Sequence, residues 1–277
     1  MTSIMKRLIV PFIILLNSIK IFSYPIDPVP LRKLVMTSEF IIIGYVRTYS
    51  EDENNFYFQE KATIEIKEVL QGDLVDKIIV LDIDLNTICP APASYYDSTY
   101  TLAFFNKDKK GQLYTNSLSY GSKTLSLTEI EIYKSRIIEL QNILTIQDSI
   151  NREEQIVKWL IKCAEDPVTR WEGAYELSPV YVPLRYDKYL FIPPTFQISE
   201  TQKQFLKGIL FSVDTVTFTD LRLIDIFLLS DSAEIKDWMM DKLRNKRYNR
   251  DFTASELSDR VYFVSNTRKK EIKRPKR

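Results

Sequence analysis

The sequence predicts a multidomain β + α chain. An N-terminal five-stranded OB-like β-barrel is followed by an α-helical domain, either a bundle or a HEAT-like stack. Between residues 39 and 116 the apolar residues recur with the period of strands, and from residue 127 onward with that of helices. The N-terminus adds a third signal, a charged, then apolar, then small-residue order that reads as a leader. The expected boundaries are a signal peptide over 1–23, the barrel over 24–124, the helical domain over 125–255, and a basic, disordered tail over 256–277. A chain of 277 residues has room for two modest domains that each bury a core.

In the leader, Lys6 and Arg7 precede the apolar run of residues 8–16, and Ile21-Phe22-Ser23-Tyr24 follows. The run is short for a bilayer span, so it reads as a cleavable secretory signal, with an uncleaved anchor as the alternative. Export to the periplasm or the medium is the expected address, with no membrane span once the leader is gone.

The strands follow in order. Residues 39–48 form a β-branched run holding Gly44, which marks a bulge or a close backbone approach. Polar residues 50–55 make a turn. In residues 56–69, Ala62, Ile64 and Ile66 alternate with Thr63, Glu65 and Lys67, the mark of a strand with one wet face. Gln71-Gly72-Asp73 closes it. Residues 77–83 are nearly all apolar and read as a central strand. After a long loop, residues 99–106 and 112–116 form a hairpin around the polar turn at 107–111. Five strands with one long excursion suit a small Greek-key barrel.

The helices begin at residues 127–146, where Ile130, Tyr133, Ile137, Leu140 and Leu144 recur at steps of three and four. This seam spans only two heptads, which favours packing within the chain over a coiled coil. Residues 152–165 follow. Asp166-Pro167 reads as N-cap and first helical residue of a short helix ending at Leu177. Residues 179–196, rich in Tyr and Pro, read as a connecting loop. Ser199 and Gln202 form a capping box ahead of Phe205, Leu206, Ile209 and Leu210. Two more helices are expected over 220–229 and 232–245, the latter introduced by Asp231 with Glu234.

Charge excludes one class of function. The chain carries 38 basic and 37 acidic residues, but the stretch from Tyr24 to Thr267 holds 28 basic against 36 acidic. An acidic body does not replace the counterions of nucleic-acid phosphates, so no nucleic-acid partner is expected. Residues 268–277 hold seven basic residues and read either as a solvated end or as a contact for an anionic surface.

Residue inventory excludes more. The chain has no histidine, which removes Ser-His-Asp and Cys-His catalysis and His-based zinc sites. Two cysteines cannot make a four-cysteine zinc site, and six glycines include no phosphate cradle. Asp82-Ile83-Asp84-Leu85-Asn86 begins like a calcium loop, but Thr87 and Ala93 stand where Gly and Glu are needed. No catalytic residue, cofactor or metal is therefore expected. In an exported chain Cys89 and Cys163 read either as one disulfide or as separate thiols.

The candidate contact surface is the loop of residues 87–97 together with Ser119-Tyr120-Gly121-Ser122. Cys89 lies in that loop, Pro90 and Pro92 stiffen it, and Tyr95, Tyr96 and Tyr120 offer large contact area at low entropy cost. The alternative is that these tyrosines pack as core. Arg170-Trp171-Glu172 has the same two readings: a contact site, or a core Trp flanked by exposed charges.

The order EFIIIGYV, ATIEIKEVLQGD, DKIIVLDI, a Cys-containing loop and STYTLAFFN resembles the netrin-like module shared with tissue inhibitors of metalloproteinases, over residues 39–122. It is also similar to a loose class of exported bacterial proteins. The resemblance implies a barrel and a protein-binding role. Those inhibitors cap a protease zinc with an N-terminal Cys, whereas here the first Cys is Cys89, so the zinc-capping step does not carry over. The expectation is a non-enzymatic protein that binds another protein outside the cytoplasm. The alternatives are a carboxylate-dependent hydrolase of envelope glycans or peptides, and a structural envelope component held by its basic tail.

Overall fold

A computed structural model describes residues 28–50, 59–84, 91–183, 189–230, 232–249 and 251–271. The expected leader, Cys89, Pro90, Asp231 and residues 272–277 lie outside the described residues. The chain opens on a short helix, α1 (Leu31–Thr37), and then forms the strands β1 (Phe40–Ser50), β2 (Gln59–Gln71), β3 (Ile78–Asp84), β4 (Tyr100–Lys107), β5 (Leu113–Thr115) and β6 (Ser122–Thr124). Their order is β3-β2-β1-β4-β5, all antiparallel, with β6 also on β4 and β3 approaching β5. This is a nearly closed five-stranded barrel, as the sequence predicts.

Alternation along β1 and β4 builds two cores at once. Phe40, Ile42, Val46, Ala103 and Phe105 point into the barrel beside Ala62, Ile64, Ile79 and Leu81. Ile41, Ile43, Leu102 and Phe104 point outward and join the core of the helices. Strands buried on both faces read as unbroken apolar runs, which is why residues 40–46 look as they do. Gly44 meets the first expectation, a bulge, and it leaves room for a close side chain. The β1–β2 register shifts beside it, and a Cβ there would stand 2.3 Å from Ile64 Cγ2.

Among the described residues the second half adds the helices α2 (Leu127–Leu144), α3 (Ser149–Glu165), α4 (Arg170–Leu177), α5 (Glu200–Ser212), α6 (Leu221–Asp225), α7 (Ser232–Arg244) and α8 (Asp251–Glu271). Capping boxes start two of them, Ser126 with Glu129 on α2 and Ser199 with Gln202 on α5. The α2 seam packs inside the chain, with Ile130, Tyr133, Ile137 and Leu140 buried against the outward residues of the barrel and Trp159, Leu160 and Cys163 of α3. One core therefore joins the two halves. No helix among the described residues is long and apolar enough to cross a membrane.

Five local expectations are corrected. The β3 strand lies at one end of the sheet path, with Ile78 and Val80 exposed while Ile79 and Leu81 point inward. Residues 180–192 hold a hairpin, β7 (Val180–Pro183) with β8 (Tyr189–Ile192), because the prolines fall at its ends and leave the ladder free to form. Asp166 does not cap α4. Its carboxylate accepts from Val168 N at 2.9 Å in a turn, and Thr169 occupies the cap position. Phe205 lies on the exposed side of α5, while Leu206 and Leu210 are buried. The expected tail from residue 256 is instead helical as far as Glu271, anchored by Leu257, Phe263 and Val264 in the core.

Cys163 carries a free thiol that is wholly buried. Burial pushes this thiol well above its ordinary value of 9.0.

Candidate functional site

The loop residues predicted as a contact surface are brought together and then separated by burial. Ser119 N donates to Ala91 O at 3.3 Å, and Ser94 N donates to Ser122 Oγ at 3.2 Å, so the loop does lie against the 119–122 turn. Tyr95 fills the barrel interior and shares a 2.7 Å hydrogen bond with Thr115 Oγ1. Pro92 is half-buried, while Tyr96 is 61% exposed and remains available for contact.

Tyr120 goes elsewhere. Strands β5 and β6 both pair with β4, and residues 116–121 bulge out between them. Ser117 and Leu118 hold left-handed φ values of 60° and 54°, a strained arrangement for non-glycine residues. Asn116 pins the bulge by donating from Nδ2 to Thr37 Oγ1 and Ser38 Oγ, both at 2.9 Å. Gly121 is required there, because a Cβ would meet Asn116 O at 1.8 Å. The excursion stacks Tyr120 on Trp171, with ring centroids 6.4 Å apart and planes 11° from parallel.

These two rings line a cavity of about 790 Å³ between the bulge, α4, α6 and α8. Phe218 and Tyr262 add further aromatic surface, and Leu221, Leu228 and Phe263 add buried apolar wall. The charged lining residues are Lys123, Arg222 and Arg260 with Asp225, Glu256 and Asp259. A larger cleft of about 990 Å³ lies between α2 and α3, but it is an open helix–helix groove whose Lys162 and Glu139 pair with each other at 2.7 Å. Its greater enclosure and convergent chemistry single out the aromatic cavity, since ligand sites combine apolar walls with a few fixed polar groups.

The position of Trp171 follows from its neighbours, which reverse the expected pattern of a core Trp between exposed charges. Arg170 is buried, donates to Ala164 O and Glu165 O, and pairs with the buried Asp220. Asp220 in turn accepts from Thr217 N at 2.7 Å and fixes the turn carrying Phe218. Glu172 is buried and accepts from Leu31 N at 2.7 Å, from Tyr133 Oη at 3.2 Å and from Lys123 Nζ at 2.7 Å. Burial and the Glu172 charge hold the Tyr133 hydroxyl well above its ordinary value of 10.0, so it stays a donor. One turn on, Glu176 takes Arg32 in a two-pronged pair at 2.6 and 2.9 Å. With three charges locked inward, Trp171 and Tyr175 occupy the remaining side of α4, their centroids 5.0 Å apart. Arg222 then lies 4.9 Å from the Tyr175 ring centroid.

On the opposite wall Arg260 grips Asp225 at 2.7 and 3.1 Å and Glu256 at 2.7 Å. Burial raises the Asp225 carboxyl above its ordinary value of 3.8, only partly opposed by Arg260 and Arg222. Asp259 is exposed and has no ion-pair partner among the described residues. Among the same residues no group of three His, Cys, Asp or Glu could hold a metal ion.

Sequence reasoning singled out Tyr120 and Trp171 separately but missed their meeting, and it missed the α8 wall altogether. The aromatic spacing of Trp171 and Tyr175, four residues apart, was the available signal. Compared with known proteins, the chain matches no family model and no curated protein.

Proposed function

We propose that this protein is an exported, non-enzymatic binding protein that seats part of a partner protein in the aromatic cavity. The observation that carries this reading is the stacked pair Tyr120–Trp171 opening onto a 790 Å³ space walled by four separate parts of the chain. Rigid aromatic faces give contact energy at little entropic cost, and the paired charges around them hold the walls in place. The netrin-like resemblance of the barrel supports a binding role, and the leader supports the address outside the cytoplasm.

Hydrolysis is the competing reading, because Asp225, Glu256 and Asp259 line one cavity and the Asp225 carboxyl is raised. Against it, Asp225 and Glu256 are both engaged by Arg260: the Asp225 pair ties α6 to α8, and the Glu256 pair holds the guanidinium in place within α8. The envelope-component reading draws on the seven basic residues of 268–277 alone.

The test is partner recovery from an extracytoplasmic fraction with wild type, Trp171→Ala and Tyr96→Ala. Recovery that falls with Trp171→Ala and persists with Tyr96→Ala supports the cavity. The reverse pattern moves the contact to the 91–97 loop, and turnover of envelope glycan or peptide by the wild type would replace binding by hydrolysis.

A further inference from the structure

Among the described residues the charges around the cavity do not balance, and the imbalance points to what the cavity takes. Its cations are Lys123, Arg222 and Arg260. Against them stand Asp225, Glu256 and Asp259 in the lining, and Glu172, which is ion-paired to Lys123. Each cation has a carboxylate partner at 2.7 to 3.4 Å. The carboxylate left over is Asp259, on the exposed side of α8 one residue from Arg260 and three from Tyr262. The surplus is negative, and it sits in a wall that also presents the rings of Tyr120, Trp171, Phe218 and Tyr262.

We propose that the cavity receives a basic side chain, Lys or Arg, carried by the partner protein. This deepens the binding reading above and rests on it. A ring face attracts a cation through its negative quadrupole, and an unpaired carboxylate at the same wall supplies the opposite charge. The aliphatic stem of Lys or Arg covers apolar wall of the kind Leu221 and Phe263 provide, while the charged head reaches the carboxylate. An anionic group would meet Asp259 and gain no uncommitted cation among the described residues that line the cavity. A neutral group would leave the negative surplus uncompensated.

The test uses the full-length protein after the leader and four capped pentapeptides with Lys, Arg, norleucine or Glu at the centre of an otherwise glycine sequence, measured by titration calorimetry. The Lys and Arg peptides are expected to bind about fivefold or more tightly than the norleucine peptide, and the Glu peptide weakest. Asp259→Asn should weaken the Lys peptide by about fivefold and leave the norleucine peptide unchanged. Asp259 has no ion-pair partner to lose among the described residues, so this variant should fold as the wild type does. Equal or tighter binding of the norleucine or Glu peptide overturns the basic-side-chain inference while leaving the cavity as a binding site. Failure of all four peptides overturns it too. Partner recovery that still falls with Trp171→Ala would then show that the cavity reading stands without it.

Discussion

Glu172 Oε2 accepts a hydrogen bond from Leu31 N at 2.7 Å across 141 residues of sequence. Helix α1 begins behind Pro30, which has no side chain able to cap it, so the first amide of that helix is satisfied from α4 instead. The other oxygen of Glu172 holds Tyr133 of α2 and Lys123 of β6. One buried carboxylate thus sets α1, the barrel edge and α2 around the helix that carries Trp171.

Removing that carboxylate strands several partners. Glu172→Ala leaves the half-buried Lys123 without its counter-charge and the buried Leu31 N without an acceptor, and breaking such contacts costs about 2–4 kcal/mol. Urea unfolding of the variant should show a loss of unfolding free energy of that size, with Glu172→Gln falling between it and wild type. A loss near zero would mean that the network is loose.

The two loop tyrosines should separate cleanly. Tyr95 is part of the barrel core, so Tyr95→Ala should cost about 3–5 kcal/mol, in line with other buried aromatics. Tyr95→Phe removes only the Thr115 hydrogen bond and should cost about 1 kcal/mol. Tyr96→Ala, at an exposed ring, should stay within about 0.5 kcal/mol of wild type. Thermal or chemical melts of the three variants check the order.

Gly173 lets α3 and α4 approach. A Cβ there would stand 2.1 Å from Leu160 O and 2.5 Å from Ala164 N, both backbone atoms of α3. Gly173→Ala should force the helices apart at a cost of about 1–3 kcal/mol and move the adjacent Trp171. Unfolding together with the Trp171 fluorescence maximum would report both effects.

The Asp225–Arg260 pair gives a pH signature. Because burial raises the Asp225 carboxyl above 3.8 in the folded chain, the native state binds more protons than the unfolded state just above that pH. Its contribution is therefore fully present below 3.8 and is lost as pH rises through the raised folded value. Compared with Asp225→Asn, which cannot titrate, wild type should lose relative stability as pH climbs from about 4 toward neutrality. Denaturation curves of both proteins across that range test the sign. A relative gain with rising pH would mean that the guanidinium groups outweigh burial.

Much of the barrel was legible because its signals are local. Alternation at Ala62, Ile64 and Ile66 fixes the inward face of β2, and the continuous run at residues 40–43 reflects a strand covered on both sides. The same rule misplaced β3, where Ile78 and Val80 are apolar yet exposed. Apolarity states a preference for burial, and only the topology decides whether a neighbour arrives to provide it. Capping boxes at Ser126 and Ser199 were readable for the opposite reason, since all their atoms lie within four residues.

The cavity was not legible because its determinants are long-range. Arg170 and Glu172 look like surface charges until Asp220, Lys123 and Leu31 come to them from 50, 49 and 141 residues away. Once those charges are buried, Trp171 is left to face the cavity. The α8 wall was hidden by composition, since the basic residues near its C-terminal end suggested a solvated tail and masked the anchoring Leu257, Phe263 and Val264.

The most direct measurement follows the indole N–H resonances of the three tryptophans while a recovered partner, or a peptide derived from it, is added. Trp159 is buried with its Nε1 donating to Arg136 O at 2.9 Å, Trp238 packs on Phe211, and Trp171 lines the cavity. Binding in the cavity predicts that the Trp171 signal, assigned with Trp171→Phe, shifts with saturation while the Trp159 signal stays in place. A partner that binds and leaves the Trp171 signal unmoved would contradict the account.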